Sequence, residues 1–390
     1  MKQFIIIIGF VMCQLSANAQ NIACQKAIDA IRVDSLTNLL LSLTGRKPVV
    51  VENQTTLITS RNAYHKDNAI ATDYLYEQCA QLGYQVMHNP FGTDGNNVIA
   101  YKLGTRTTKE VYMLCAHYDC VGTKNKPFQG ADDNASGSAA LLEAARVLKN
   151  YQFPFTVAFA FWDEEEEGLL GSAAFSPWGP LDWFIQGVIN LDMIAYDGNN
   201  DSLANIHVYP TKTSLTFGQQ VLSCNTLYPI GLNPVIINPG TRASDHFSFS
   251  VKNVTAIGLT EDYGPDFNPN WHMLSDSIEN CHIPYFYKMT QLATAALCHI
   301  SADGANIAVT EIKPPVISVY PNPAAGQINI EGIQIPYQIS ISDALGKQVL
   351  QTTVQDTKPL SLSDDINNGI YFITIIQNNN THQQKITIIK

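Results

Sequence analysis

An imidazole at His117, adjacent carboxylates at Asp132-Asp133, four glutamates at Glu164-Glu165-Glu166-Glu167, a carboxylate at Asp192 and a second imidazole at His272 stand out in the middle of the chain. Each has an ordinary structural use when taken singly. Asp and Ser ahead of a helix are capping residues, a run of acids is commonly a helix first turn, and a lone histidine commonly sits in a loop. Together they describe a metal centre. Mixed imidazole and carboxylate ligation suits zinc. A carboxylate has two oxygens to share, and so many acids suit two cations with a bridging ligand. Residue type alone does not fix which glutamates of the run take part. Asp119, two residues beyond His117, is placed to orient a ligating imidazole.

The elements that must position these groups alternate between strand and helix from about residue 97 to 300. Residues 98–103 and 111–116 read as strands. Leu141, Leu142, Ala145 and Leu148 recur at helical spacing, which makes 136–150 an amphipathic helix. Residues 155–162 form a nearly continuous apolar run, as expected of a strand covered on both faces. Residues 187–194 repeat that pattern, and 284–300 close the region as a helix. The fold class is therefore α/β, with a mostly parallel central sheet flanked by helices. His117, the acidic run and Asp192 each follow an apolar strand, and such sheets bind ligands beyond the carboxyl ends of their strands. At that position the glutamates repel one another unless cations neutralise them.

Composition narrows the function class. The net charge of −11 offers no basic face for nucleic-acid phosphates. With 45% apolar and 15% charged residues the chain can bury a large core, and 390 residues allow one α/β domain plus a small module. Lys2, the apolar stretch 4–12 and Ala17-Asn18-Ala19 read as a signal peptide over 1–19. The stretch is short of the roughly 20 residues that span a bilayer, so no stable membrane span is expected in the mature chain. Beyond it lie Cys24, Cys79, Cys115, Cys120, Cys224, Cys281 and Cys298, an odd set in a compartment that permits disulfides. Their pairing is open, and the lack of a Cys-x-x-Cys pair argues against a cysteine-based zinc site. A linker, 303–316, ends in Pro314-Pro315. The remainder, 317–390, shows short β-type runs at 327–330, 338–342, 370–376 and 385–389, as in a small all-β sandwich. The domain between signal peptide and linker is 20–302.

Several segments resemble the M28 family of zinc metallopeptidases, which includes the bacterial leucyl aminopeptidases. They are Ala116-His117-Tyr118-Asp119, Gly130-Ala131-Asp132-Asp133-Asn134-Ala135-Ser136-Gly137, Glu165-Glu166-Glu167-Gly168-Leu169-Leu170-Gly171-Ser172, Leu191-Asp192-Met193, Ser244-Asp245-His246 and the loop around His272. The resemblance implies a zinc exopeptidase fold and two Zn2+ ions: His117 and Asp192 on one, Glu166 and His272 on the other, Asp132 bridging. It implies Glu165 as general base, with the register set by the following Gly168, and a non-proline cis peptide after Asp132. Asp119 and Asp245 are implied to support the ligands from behind. Arg242 lies where some relatives place a side chain that stabilises the developing oxyanion. The implied reaction removes N-terminal residues from peptide substrates. The single-zinc glutaminyl-peptide cyclotransferases share much of the motif order, but the segment from Gly130 looks like the peptidase version. Carboxypeptidase or dipeptidase action stays open.

The C-terminal region resembles the sorting domain of proteins exported by the type IX (Por) secretion system. The matching residues are Val319-Tyr320-Pro321-Asn322-Pro323, Ser342-Asp343-Ala344-Leu345-Gly346-Lys347, Gly369-Ile370-Tyr371-Phe372 and Lys385-Ile386. That resemblance implies the type IX machinery as partner and a secreted or cell-surface location.

Overall fold

The computed structural model describes residues 20–122, 128–175, 182–304, 307–309, 317–333, 335–356, 358–363, 365–377 and 380–389. The signal peptide expected over 1–19 and most of the linker expected over 303–316 lie outside these residues. The chain divides into two units, Met1–Thr310 and Glu311–Lys390.

The first unit is built on an eight-stranded sheet. Its spatial order is Asn233–Ile237, Leu203–Val208, Ala256–Thr260, Phe184–Leu191, Glu110–His117, Thr156–Trp162, Gly95–Lys102 and Gln85–Phe91. Four of the seven neighbouring pairs are parallel, and the four central strands all run one way. The other three pairs are antiparallel, so the sheet is mixed. The central strands are apolar because both faces are covered, and every residue of Thr156–Trp162 is buried. Alternation along the strands sends side chains to opposite faces. Leu114, Ala116, Phe159 and Phe161 join the core under the long helices Gly137–Leu148 and Ile283–Ala302. Met113, Cys115, Ala158 and Trp162 join a second core with Phe175 and Phe249.

The helices Ile22–Asp29 and Val33–Leu43 precede the sheet and pack into the larger core. A disulfide joins Cys24 to Cys298, fixing the first helix to the last. The loop it closes spans 274 residues, and in the chain-entropy picture such a bond contributes about 5 kcal/mol. The other five cysteines of the described residues, Cys79, Cys115, Cys120, Cys224 and Cys281, are free thiols.

The second unit has a three-stranded and a four-stranded antiparallel sheet around one core that includes Val319, Ile328, Ile339, Ile341, Ile373, Ile375, Ile386 and Ile388. In Tyr337–Asp343 the inward residues are Tyr337, Ile339 and Ile341, the period of two expected of a sheet with one buried face. Among the described residues no helix is long and apolar enough to cross a membrane.

Candidate metal centre

His117 is the last residue of the strand Glu110–His117, and Asp192 immediately follows Phe184–Leu191. The acidic run follows Thr156–Trp162. Three neighbouring parallel strands thus deliver their next polar residues to one edge of the sheet. His117 Nε2 lies 3.3 Å from Asp192 Oδ1 and 3.3 Å from Asp133 Oδ1. His272 Nε2, from the loop after Asn268, lies 3.2 Å from Asp133 Oδ2 and 3.1 Å from Glu166 Oε2. Asp133 therefore turns one oxygen to each histidine. Glu165 completes a second group with His117 and Asp192, in which donor atoms lie within 4.8 Å of one another.

The acidic run is divided by its backbone. Asp119 Oδ1 and Oδ2 accept the amide N–H groups of Glu165 and Glu166 at 3.1 and 3.2 Å, and Asp119 Oδ1 is 3.2 Å from His117 Nδ1. One buried carboxylate thus orients the imidazole and pins the turn that carries Glu165 and Glu166 into the cavity. Glu167 points outward to the Tyr64 hydroxyl instead. Glu164, Leu169, Met193 and His272 all adopt positive φ. Such strained conformations in non-glycine residues persist where the surroundings over-determine them.

One expectation is corrected. Asp132, read as the bridging residue, does not face the histidines. Its Oδ1 accepts the Ala195 N–H at 2.8 Å and its Oδ2 accepts the Asn268 side-chain amide at 2.6 Å. Its own N–H and that of Asp133 donate to the two oxygens of Asp276. Successive residues of this turn point in different directions, so only one of the pair can reach the cavity, and Asp133 does. The non-proline cis peptide likewise lies at Asp133-Asn134, one bond later than expected. Nothing local in the sequence separates the two aspartates, because the partners that claim Asp132 are 63 and 136 residues away.

Arg61 holds this arrangement from below. It is fully buried, and its guanidinium donates to the carbonyls of Leu43, Tyr118, Gln129 and Gly130 at 2.6–2.8 Å. It ties the loop after His117 to the turn before Asp132. Gly130 has φ 53°, and a Cβ there would meet Asp133 O at 2.5 Å and Arg61 Nη2 at 2.9 Å, so only glycine fits. Arg61 and Asp276 carry no signal in the spacing of the sequence. Asp245 is fully buried, and burial, opposed by His117, pushes its carboxyl up to about 7. No hydrogen bond joins it to a histidine of the centre. Its neighbour His246 sits 3.0 Å from the Thr241 carbonyl and is held neutral by burial, with a pKa of about 4.

Electrostatics shows how strongly the groups of the cluster act on one another. Burial lowers the His117 pKa, but Glu165, Asp119, Asp133 and Asp192 outweigh it and raise it well above the ordinary imidazole value. For His272, burial is likewise overcome by Asp133 and Glu166, and the pKa rises to about 10. Burial raises Asp133, yet His117 and His272 pull it below the ordinary carboxylate range. Burial and then Asp133 push Glu166 up to about 7, and Glu165 is raised well above its usual value by burial with His117 opposing. The carboxylates thus favour positive charge at the two imidazoles. Divalent cations displace the protons of ligating imidazoles when they bind. A donor set of imidazoles and carboxylates around a shared Asp133 fits zinc.

The cavity above the cluster holds about 610 Å³. Acidic residues make one part of its wall, and Leu169, Met193, Phe247, Tyr263, Phe267 and Trp271 make much of the rest. Arg242 lies at its side, exposed, with the guanidinium 5.7 Å from the centre of the Phe247 ring.

The model of "Peptidase family M28" matches residues 97–297, and that of "Secretion system C-terminal sorting domain" matches 318–390. Aminopeptidase YwaD of Bacillus subtilis is 26% identical over 198 residues, 48% of this chain and 40% of YwaD. The chain spans less than half the length of the curated relatives it matches first. Among solved structures, the LapA aminopeptidase of Legionella pneumophila has a TM-score of 0.63 at 20% identity, over 72% of this chain and 74% of that one. A glutaminyl cyclase of Bacteroides thetaiotaomicron has a TM-score of 0.54 at 20% identity, over 68% of this chain and 97% of that one. At such identities these two likenesses establish the fold.

Proposed function

This chain belongs to peptidase family M28, and from that premise we propose that it is a zinc-dependent aminopeptidase that binds two zinc ions and cleaves N-terminal residues from peptides. The observation that carries the reading is Asp133, with one oxygen 3.3 Å from His117 and the other 3.2 Å from His272. That geometry supports one ion held by His117, Asp192 and Asp133 and another by His272, Glu166 and Asp133. A one-metal site needs no carboxylate shared in this way.

Zinc bound there lowers the pKa of water and polarises a peptide carbonyl. Glu165 takes the proton from the attacking water and passes it to the leaving amine, a task suited to a carboxylate whose proton affinity burial has raised above the ordinary range. Asp119 holds His117 by Nδ1 and leaves Nε2 facing the cavity. The acidic wall receives the α-ammonium group of the substrate. The C-terminal unit is a secretion-system sorting domain, and it directs export by the type IX machinery to the cell surface or medium.

Metal content and turnover, measured together, test the reading. Purified protein is expected to carry two zinc ions per chain and to hydrolyse leucine amide. Glu165→Gln is expected to keep the metal and lose activity by at least 10²-fold, the scale of a general base. Wild-type turnover in that variant would sink the assigned mechanism. One zinc per chain, with cyclisation of a Gln-initiated peptide and no hydrolysis, would replace the peptidase by a cyclase.

A further inference from the structure

Among the fifteen residues lining the cavity, Asp133, Glu165, Glu166 and Asp192 are acidic and Arg242 is the single arginine or lysine. The Arg242 guanidinium has no hydrogen-bond or ion-pair partner among the described residues; it lies against the Phe247 ring. An arginine beside so many carboxylates ordinarily pairs with one of them. Here the backbone on either side is fixed. Thr241 N–H donates to His207 Nδ1 at 3.1 Å, the Thr241 carbonyl lies 3.0 Å from His246 Nε2, and Ser244 Oγ donates to Asp192 Oδ2 at 2.5 Å. Arg242 is thus anchored two residues from a side chain that touches Asp192, a backbone span of about 7 Å at most.

A short peptide is a zwitterion whose ends are separated by about 3.4 Å per residue. Its ammonium end is drawn to the acidic wall and repelled by a guanidinium. The complementary end is a carboxylate, which a guanidinium binds through paired N–H donors. We propose that Arg242 binds the C-terminal carboxylate of di- and tripeptides, so that the site favours short peptides with a free carboxyl end. This role differs from the oxyanion stabilisation that the sequence suggests for the residue. It rests on the aminopeptidase reading and adds a specificity determinant on the leaving-group side.

The test compares kcat/KM for Leu-Leu, Leu-Leu-amide and Leu-Glu-amide in the wild type, Arg242→Gln and Arg242→Lys, with leucine amide as a separate substrate for the peptidase reading. The wild type is expected to favour Leu-Leu over Leu-Leu-amide about fivefold or more, the scale of a solvent-accessible ion pair. Arg242→Gln is expected to bring that ratio to about one, and Arg242→Lys to restore part of it. An unchanged ratio in Arg242→Gln overturns the proposal. So does an equal loss on both substrates, which marks an oxyanion role, or a preference for Leu-Glu-amide over Leu-Leu, which moves the carboxylate to a side chain. A wild type that cleaves leucine amide but shows no preference defeats the subsite alone. One that cleaves nothing defeats the peptidase reading and the subsite with it.

Discussion

Two layers of buried carboxylates lie beyond the ends of the central strands, and they differ in what faces them. In the front layer, Asp133, Glu166 and Asp192 turn oxygens to the imidazoles of His117 and His272. In the layer behind, Asp119 and Asp276 each accept two main-chain N–H groups, and Asp132 accepts one plus the Asn268 amide. A carboxylate bonded to fixed backbone donors cannot leave them without orphaning buried N–H groups, at about 1–3 kcal/mol each. It serves as scaffold. A carboxylate that turns an oxygen to a histidine can exchange that imidazole's proton for a cation, even where its other oxygen is held, as Asp192 Oδ2 is by Ser244 and Glu166 Oε1 by the Val121 N–H. Residue type is the same in both layers, and the opposing group decides the use.

The largest expected effect breaks the front layer. Asp133→Ala removes the group shared by both histidines, and kcat/KM should fall roughly a thousandfold or more, beyond what loss of an outer partner costs. Bound zinc, measured by elemental analysis, should fall with it. Asp132→Asn probes the layer behind and should cost about 10–100-fold in activity or metal affinity. If the two variants are equally impaired, the division into layers is wrong. Stripping metal from the wild type should lower the melting temperature by several degrees, because a ligand that binds only the folded state stabilises it. The same treatment should shift Asp133→Ala far less. The smallest effect concerns a buried base away from both layers' hydrogen bonds, in the strand Leu203–Val208. Burial holds His207 near pKa 4, below the 6.5 of the unfolded chain. A depressed histidine contributes stability that is intact above pH 6.5 and is lost as pH falls towards 4. Urea unfolding should therefore show about 1 kcal/mol lost to this group by pH 5.5, and His207→Gln should flatten that slope.

Much of this was legible because buried strands are written in continuous apolar residues. The run at 155–162 announces a strand covered on both faces, and the acids after it must then sit at the strand's end. The register within the glutamates came from the family resemblance at Gly168, and Glu165 and Glu166 line the cavity. The choice between Asp132 and Asp133 was not legible, since it depends on Ala195, Asn268 and Asp276, brought in by folding. The N-terminal helices and the outer strands Leu203–Val208 and Asn233–Ile237 also escaped notice, being short or mixed in polarity. In the second unit the strand Gln348–Val354 was missed because it is largely exposed and rich in Gln and Thr.

The carbonyl clamp of Arg61 has a consequence for where a functional boundary can be drawn. The stretch matched to the peptidase family begins at residue 97 and contains His117, Asp133, Glu165, Glu166, Asp192 and His272. The residue that joins the loops bearing His117 and Asp133 lies 36 positions upstream of that stretch, and one of its acceptors, Leu43, ends a still earlier helix. A fragment cut to the matched stretch keeps every donor atom and loses the tie between them. The smallest piece that keeps the frame of the site is therefore longer than its signature, and trimming through residue 61 removes the tie while leaving the signature intact.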